Sequence, residues 1–188
     1  AGKILSADVI NVTGGGSSTE KGESLYNTAL TLQAMSADMI VIRHPHAGAP
    51  YFLARHLDSA IINAGDGAHA PPTQALLDLF TIKSILGRVE GVRVTIVGDI
   101  LYSRVARSNI WAMTKLGAKV TVAGPSTLVP HWFTAMGVKV SHDLRPALAD
   151  ADAVLVRAAP MNAQLLASLP KCKVVVRYGV GVDTLDLD

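Results

Sequence analysis

Residues 92–124 read VRVTIVGDILYSRVARSNIWAMTKLGAKVTVAG, and they hold a complete strand-helix-strand unit. Val92, Val94, Ile96 and Val97 make a short β-branched run ending at Gly98, which reads as a buried strand. Ser103 precedes a stretch with helical spacing from Arg104 to Leu116 and supplies a helix-start signal. Gly117 breaks that pattern, and a second apolar run follows over residues 119–122. A strand apolar on both of its faces, followed by a helix and a second such strand, calls for a parallel pair joined by a right-handed crossover.

The same alternation extends in both directions. Strands are predicted over residues 9–12, 39–42, 60–62, 92–97, 119–122, 138–140, 153–156 and 174–176. Helices are predicted over 23–35, 49–57, 72–86, 104–116, 130–136, 144–149 and 162–169. The expected fold is therefore α/β: alternating strand-helix units, a mostly parallel sheet and a three-layer α/β/α arrangement of the flavodoxin or Rossmann kind. Eight strands suit two small sheets better than one closed barrel. Composition agrees, since 49% of the 188 residues are hydrophobic and only 17% are charged, below the quarter usual in soluble domains. A net charge of +2 gives no footprint for nucleic acid, and no apolar run reaches the length of a membrane span. With no signal-peptide pattern in its first residues, the chain is expected in the cytoplasm. The single cysteine, Cys172, excludes an internal disulfide and any paired-cysteine metal or redox site. The polar turn at 87–91 is the expected boundary between two domains, residues 1–87 and 92–188.

Ligands in open α/β sheets collect beyond the carboxyl ends of the strands, which directs attention to four polar segments. The loop at 13–22 carries glycines, hydroxyls and Lys21 without the order of a Walker loop. Arg43 follows an apolar strand, where its guanidinium suits either a phosphate or carboxylate ligand or a structural ion pair. His44 and His46 flank Pro45 with no third ligand in view, so no metal is expected. Pro72 fits a first helical turn, placing Thr73 and Gln74 at the positive end of a helix. His69, alone in its loop, reads as incidental. Arg104 is a candidate carboxylate ligand and Arg107 a salt-bridge former. Gly179 and Gly181 lack the third glycine and following helix of a dinucleotide site, and no compact catalytic motif is present.

Five ordered segments carry a specific resemblance: SADVINV (6–12), SSTEKGESLYNT (17–28), IVIRHPHAGAP (40–50), NAGDGAHAPPTQALLDLFTI (63–82) and VTIVGDILYSRVARSN (94–109). From about residue 5 to 150 the chain resembles the aspartate carbamoyltransferase catalytic chain. That family condenses carbamoyl phosphate with aspartate, without a cofactor or metal, by positioning and electrostatic catalysis. The resemblance implies that Arg43 contacts carbamoyl phosphate and that Gln74 holds its amide end. It implies that Arg104 and Arg157 bind aspartate, and that Ser17 and Lys21 are lent to a neighbouring subunit's site. It also marks departures. Pro71 stands where the family has a histidine, Arg157 lacks the glutamine that usually follows, and the family's STRTR and HPLPR segments are expected to lie outside this chain.

From about residue 150 the run ADAVLVRAAPMNAQLLASLPKCKVVVRYGVGVDTLDLD resembles the substrate-side domain of D-2-hydroxyacid dehydrogenases, without their nicotinamide-binding segment. Residues 1–87 would then be a carbamoyl-phosphate-domain-like fragment. Residues 92–188 would be an aspartate-domain-like unit completed by the dehydrogenase-like segment. The expectation that follows is a recombined, synthetic α/β scaffold without efficient catalysis and with at most weak binding of phosphate, carbamoyl phosphate or a dicarboxylate. Self-association through exposed apolar surface would accompany it. Residual aspartate carbamoyltransferase activity is the alternative.

Overall fold

A computed structural model describes residues 2–12, 23–157, 159–178 and 186. The described residues form seven strands: β1 (Met39–His44), β2 (Ala60–Asp66), β3 (Arg93–Gly98), β4 (Lys119–Ala123), β5 (Lys139–Ser141), β6 (Ala153–Arg157) and β7 (Val174–Arg177). Six α-helices alternate with them: α1 (Leu25–Ala34), α2 (Ala49–Ala54), α3 (Pro72–Leu86), α4 (Arg104–Lys115), α5 (Leu144–Ala149) and α6 (Ala163–Leu166). The α/β expectation is met, with the strands divided between a two-stranded sheet, β1-β2, and a five-stranded sheet ordered β5-β4-β3-β6-β7. Every pairing in the larger sheet is parallel.

Two expected elements differ. Residues 9–12 form no strand. Val9, Ile10 and Val12 are all exposed, and an apolar run becomes a strand only where a ladder partner exists. The expected helix at 130–136 is the tighter 3-10 form, His131–Met136, ended by Gly137 at φ 78°.

The chain divides into two compact units. One comprises residues 1–42 and 49–62. Within it the Gln33 side-chain Oε1 accepts the backbone N–H groups of Asp58 and Ser59, at 2.7 and 3.2 Å, tying the end of α1 to the start of β2. Tyr26, Phe52 and His56 form an aromatic cluster, with the Phe52 and His56 rings 4.4 Å apart.

The second unit, residues 43–48 and 63–188, is built around the five-stranded sheet. Side-chain alternation divides its core in two. Val94 and Ile96 of β3, Val120 and Val122 of β4 and Leu155 of β6 face Leu79 and Ile82 of α3, Ile110 and Met113 of α4, and Phe133. Val97, Val154 and Val156 face the opposite way onto Leu148 of α5 and Met161. A period of two along each strand thus covers both faces of the sheet with helices, giving three layers. At the start of the central pair, Arg93 donates two hydrogen bonds to the Asp152 carboxylate, at 3.1 and 2.8 Å, and its backbone N–H adds a third at 2.9 Å. This holds β6 in register on β3, so that Val94 lies beside Ala153 and Gly98 beside Arg157.

Gly98 closes β3 at φ 121°, and a Cβ there would collide with the Arg157 carbonyl oxygen. The close approach of two carboxyl-terminal strand ends therefore needs glycine. Gly98→Ala is expected to destabilise the chain by about 2–5 kcal/mol, from backbone strain plus the displaced β6 end. At this size that lowers Tm by about 4–20 °C, read by circular dichroism. A melt within 2 °C of the parent would refute the argument.

Candidate functional site

In the second unit the loop after β2 meets Arg104 and Arg107 at the start of α4. Its organising group is Asp66, the last residue of β2, which is 1% exposed. Burial alone would push this carboxyl up. Four donors outweigh it: the Asn63 side chain at 3.0 Å, the Gly48 N–H at 2.7 Å, His69 Nδ1 at 3.0 Å and the Ala70 N–H at 3.1 Å hold its pKa down at about 2. A carboxylate is acceptor-only, so each of its two oxygens takes a pair of these bonds. The loop at 66–70 is wound around this charge, with the His69 N–H donating to the Asp66 carbonyl oxygen at 3.0 Å. The Gly67 N–H donates to the His44 carbonyl oxygen at 2.9 Å, which joins the loop to the end of β1. Gly67, at φ 52°, allows that approach, since a Cβ would sit 2.5 Å from the Pro45 carbonyl oxygen.

Arg104 is the first residue of α4, a helix capped by the Ser103 hydroxyl accepting from the Ala106 N–H at 3.1 Å. Its Nη1 donates to the Gly67 carbonyl oxygen at 2.7 Å, and its guanidinium packs over Gly65, where a Cβ would lie 3.4 Å from Nη1. The chain of contacts from Asp66 to Gly67 to Arg104 sets where the guanidinium's remaining donors point. Among the described residues Arg107 forms no salt bridge; it donates to the carbonyl oxygens of Ala68 and Leu101, at 3.3 and 3.4 Å. These two arginines stitch α4 to the loop after β2.

Gln74 lies in the first turn of α3, which begins at Pro72 as the sequence predicts. Its Nε2 donates to Asp78 Oδ1 at 2.8 Å, and Asn109 Nδ2 of α4 donates to Asp78 Oδ2 at 2.6 Å. Arg43 is exposed at the end of β1, and its side chain has neither a hydrogen bond nor an ion pair among the described residues, so the structural pairing considered for it is absent there. Arg157 is exposed at the end of β6. Ser17, Lys21 and the glycines at 179 and 181 lie outside the described residues. His44 and His46 stack edge-on at 5.0 Å, and the His44 Nδ1 accepts the His46 N–H at 3.1 Å. Among the described residues no group of three or more His, Cys, Asp or Glu could hold a metal, and no helix is long and apolar enough to cross a membrane.

Sequence reasoning passed over Asp66, Asp78 and Asn109. For Asp66 a signal existed: an aspartate between two glycines just after a strand is placed to accept bonds from its own turn. Asp78 and Asn109 stand on two different helices, 31 residues apart, and only the packing brings them together.

Comparison with known proteins bears on both resemblances. Residues 1–84 match the family model of the aspartate/ornithine carbamoyltransferase carbamoyl-P binding domain. Residues 132–188 match that of the D-isomer specific 2-hydroxyacid dehydrogenase catalytic domain. The aspartate carbamoyltransferase catalytic subunit of Opitutus terrae is 64% identical over 156 residues, which is 83% of this chain and 50% of that protein. That of Desulforamulus reducens is 52% identical over 188 residues, all of this chain and 60% of the relative. Among solved structures, aspartate transcarbamoylase from Trypanosoma cruzi in complex with aspartate and phosphate superposes with a TM-score of 0.84 at 28% identity, over 98% of this chain and 66% of that one. The chain thus spans 50–60% of the length of these curated relatives.

These findings overturn the expected scaffold without efficient catalysis. Similarity to catalytic subunits does not stop near residue 150 but continues through the whole chain. Within that span residues 132–188 also match the dehydrogenase domain model.

Proposed function

We propose that this chain acts in transfer of the carbamoyl group from carbamoyl phosphate to the amino group of aspartate, as part of an aspartate carbamoyltransferase catalytic chain. The observation that carries this reading is the 52% identity to a catalytic subunit over all 188 residues. In the reaction the aspartate amine attacks the carbamoyl carbon. A C–N bond forms, the bond from the carbamoyl carbon to the bridging oxygen breaks, phosphate leaves with that oxygen and the electron pair, and the amine gives up a proton. No group on the protein need change its covalent state, so the residues act by holding two anions in line and balancing developing charge.

On this reading residues 1–87 form the carbamoyl-phosphate side and residues 92–188 the aspartate side. Arg43 takes the carbamoyl phosphate oxygens and Gln74 the carbamoyl amide. Arg104 and Arg157 hold the aspartate carboxylates, and Ser17 and Lys21 serve a neighbouring subunit's site. The exposed guanidinium of Arg43 and the anchoring of Arg104 on Gly67 support these roles, because fixed forks of donors suit carboxylate and phosphate groups.

N-(phosphonacetyl)-L-aspartic acid spans both substrate ends and is bound in one of the similar Trypanosoma cruzi structures. At about a hundred times its Kd it should stabilise the chain by about 2.7 kcal/mol and raise Tm by about 5–11 °C. Arg43→Ala and Arg104→Ala are each expected to remove most of that rise while leaving the ligand-free melt cooperative. A parent melt unmoved by millimolar ligand would refute the proposal.

A further inference from the structure

The side-chain amide of Gln74 is not free to choose which end it presents. Its Nε2 is bound to Asp78 Oδ1, and the other oxygen of that carboxylate is occupied by Asn109 Nδ2. Asp78 is 1% exposed and Asn109 is fully buried, so neither can be replaced by solvent. Burial raises the Asp78 pKa against the lowering effect of its bonds from Asn109 and Gln74. Two amide donors on two oxygens is the pattern that a carboxylate satisfies. Turning the Gln74 amide over would set its oxygen against a carboxylate oxygen, losing one bond and adding a repulsion. The Gln74 Oε1 accepts no bond from any described residue, and the side chain is half-buried. The end left over for a ligand is thus an acceptor.

We propose that Asp78, braced across the helix pair by Asn109, is a positioning residue that fixes the Gln74 amide with its carbonyl oxygen outward, so that the site selects a phosphorylated ligand bearing an N–H donor. This inference rests on the carbamoyl-transfer reading and adds the origin of its selectivity. Acetyl phosphate tests it directly, since it replaces the NH2 of carbamoyl phosphate with a methyl group of similar size and keeps the phosphate. An acceptor aimed at that position finds a partner in one ligand and is left unpaired by the other.

Binding of carbamoyl phosphate, acetyl phosphate and inorganic phosphate is compared by calorimetry in the parent and in the Asp78→Leu/Asn109→Leu double variant. That variant removes both members of the buried polar pair together and leaves no orphaned partner within it. The parent is expected to bind carbamoyl phosphate at least about tenfold tighter than acetyl phosphate, the worth of one hydrogen bond. In the double variant the ratio should collapse toward one, while inorganic phosphate binds within about twofold of the parent. An unchanged ratio in a folded double variant overturns the role of Asp78 and leaves the carbamoyl-transfer reading standing. Equal loss for all three ligands also overturns it, since that is what a purely structural role would do. A parent that binds none of the three overturns the underlying reading, and this inference with it. Should the double variant fail to melt cooperatively, side-chain amide exchange in the parent decides. One Gln74 Nε2 proton should exchange at least about tenfold more slowly than those of exposed Gln164, and equal rates would refute the tether.

Discussion

On the carbamoyl-transfer reading, replacing Pro71 with histidine is expected to raise the rate of carbamoyl aspartate formation by about a hundredfold or more. Proline has neither an N–H nor a side-chain donor, so at residue 71 nothing can polarise a carbonyl. The aspartate carbamoyltransferase resemblance places a histidine there, three residues before Gln74. A single preorganised donor on a developing oxyanion contributes about 10²–10³ in rate. The local backbone admits the change. Residue 71 precedes Pro72 and sits outside the helix at φ −109°, a region open to any residue with a side chain. Its carbonyl oxygen already accepts the Gln74 N–H at 3.0 Å, an interaction that histidine keeps. The imidazole must find room at a buried position, so the Pro71→His melt should be recorded beside the rate. A folded variant no faster than the parent would show that the carbonyl is not polarised from this position.

The second large effect is on stability. Asp66→Ala should lower Tm by about 6–20 °C, because it strips the acceptor from four donors, two of them backbone N–H groups in a tight loop. Leaving such a network without its charge costs about 3–5 kcal/mol. The same group predicts a pH dependence whose sign is fixed. Its folded pKa, about 2, lies below the ordinary carboxylate value of 3.8, so its contribution is full above about pH 4 and disappears as pH falls toward 2. The loss from this residue is about 2 kcal/mol. The parent should therefore be steeply acid-labile between pH 4 and pH 2, and Asp66→Asn should flatten that part of the curve. On the carbamoyl-transfer reading, because Gly67 carries Arg104, Asp66→Asn should also weaken aspartate more than carbamoyl phosphate, measured as separate KM values.

The larger sheet was legible in the sequence because its signals are local. Helix α3 begins at Pro72 and ends before Gly87, which takes φ 75°, and both ends follow from what those two residues do to a backbone. The run at 9–12 has equally good strand chemistry and forms none, since pairing depends on a partner that the run itself does not specify. The site divides the same way. Arg43, Gln74 and Arg104 stand out as polar residues at element ends, whereas Asp78 and Asn109 look like ordinary interior helix residues until α3 and α4 pack. The end of the chain carries a pattern of a different kind, since residues 132–188 match a dehydrogenase domain model while the whole chain aligns with a carbamoyltransferase catalytic subunit. One architecture can host unrelated functions, so a strand followed by a helix reports the architecture and not the ancestry.

The order of strands in the larger sheet also sets a timetable for synthesis. Central β3 meets β4 after a single short helix, but its other neighbour, β6, comes 59 residues later. At the usual pace of translation, about 5–20 residues per second, one side of the central strand waits about 3–12 seconds for its partner. During that interval Val94, Ile96 and Val97 border an open row of backbone donors and acceptors, the arrangement that recruits strands from other chains. A nascent chain of this protein is thus most vulnerable to aggregation after β4 has emerged and before β6 has, and it is over that window that a holding chaperone would most improve the yield.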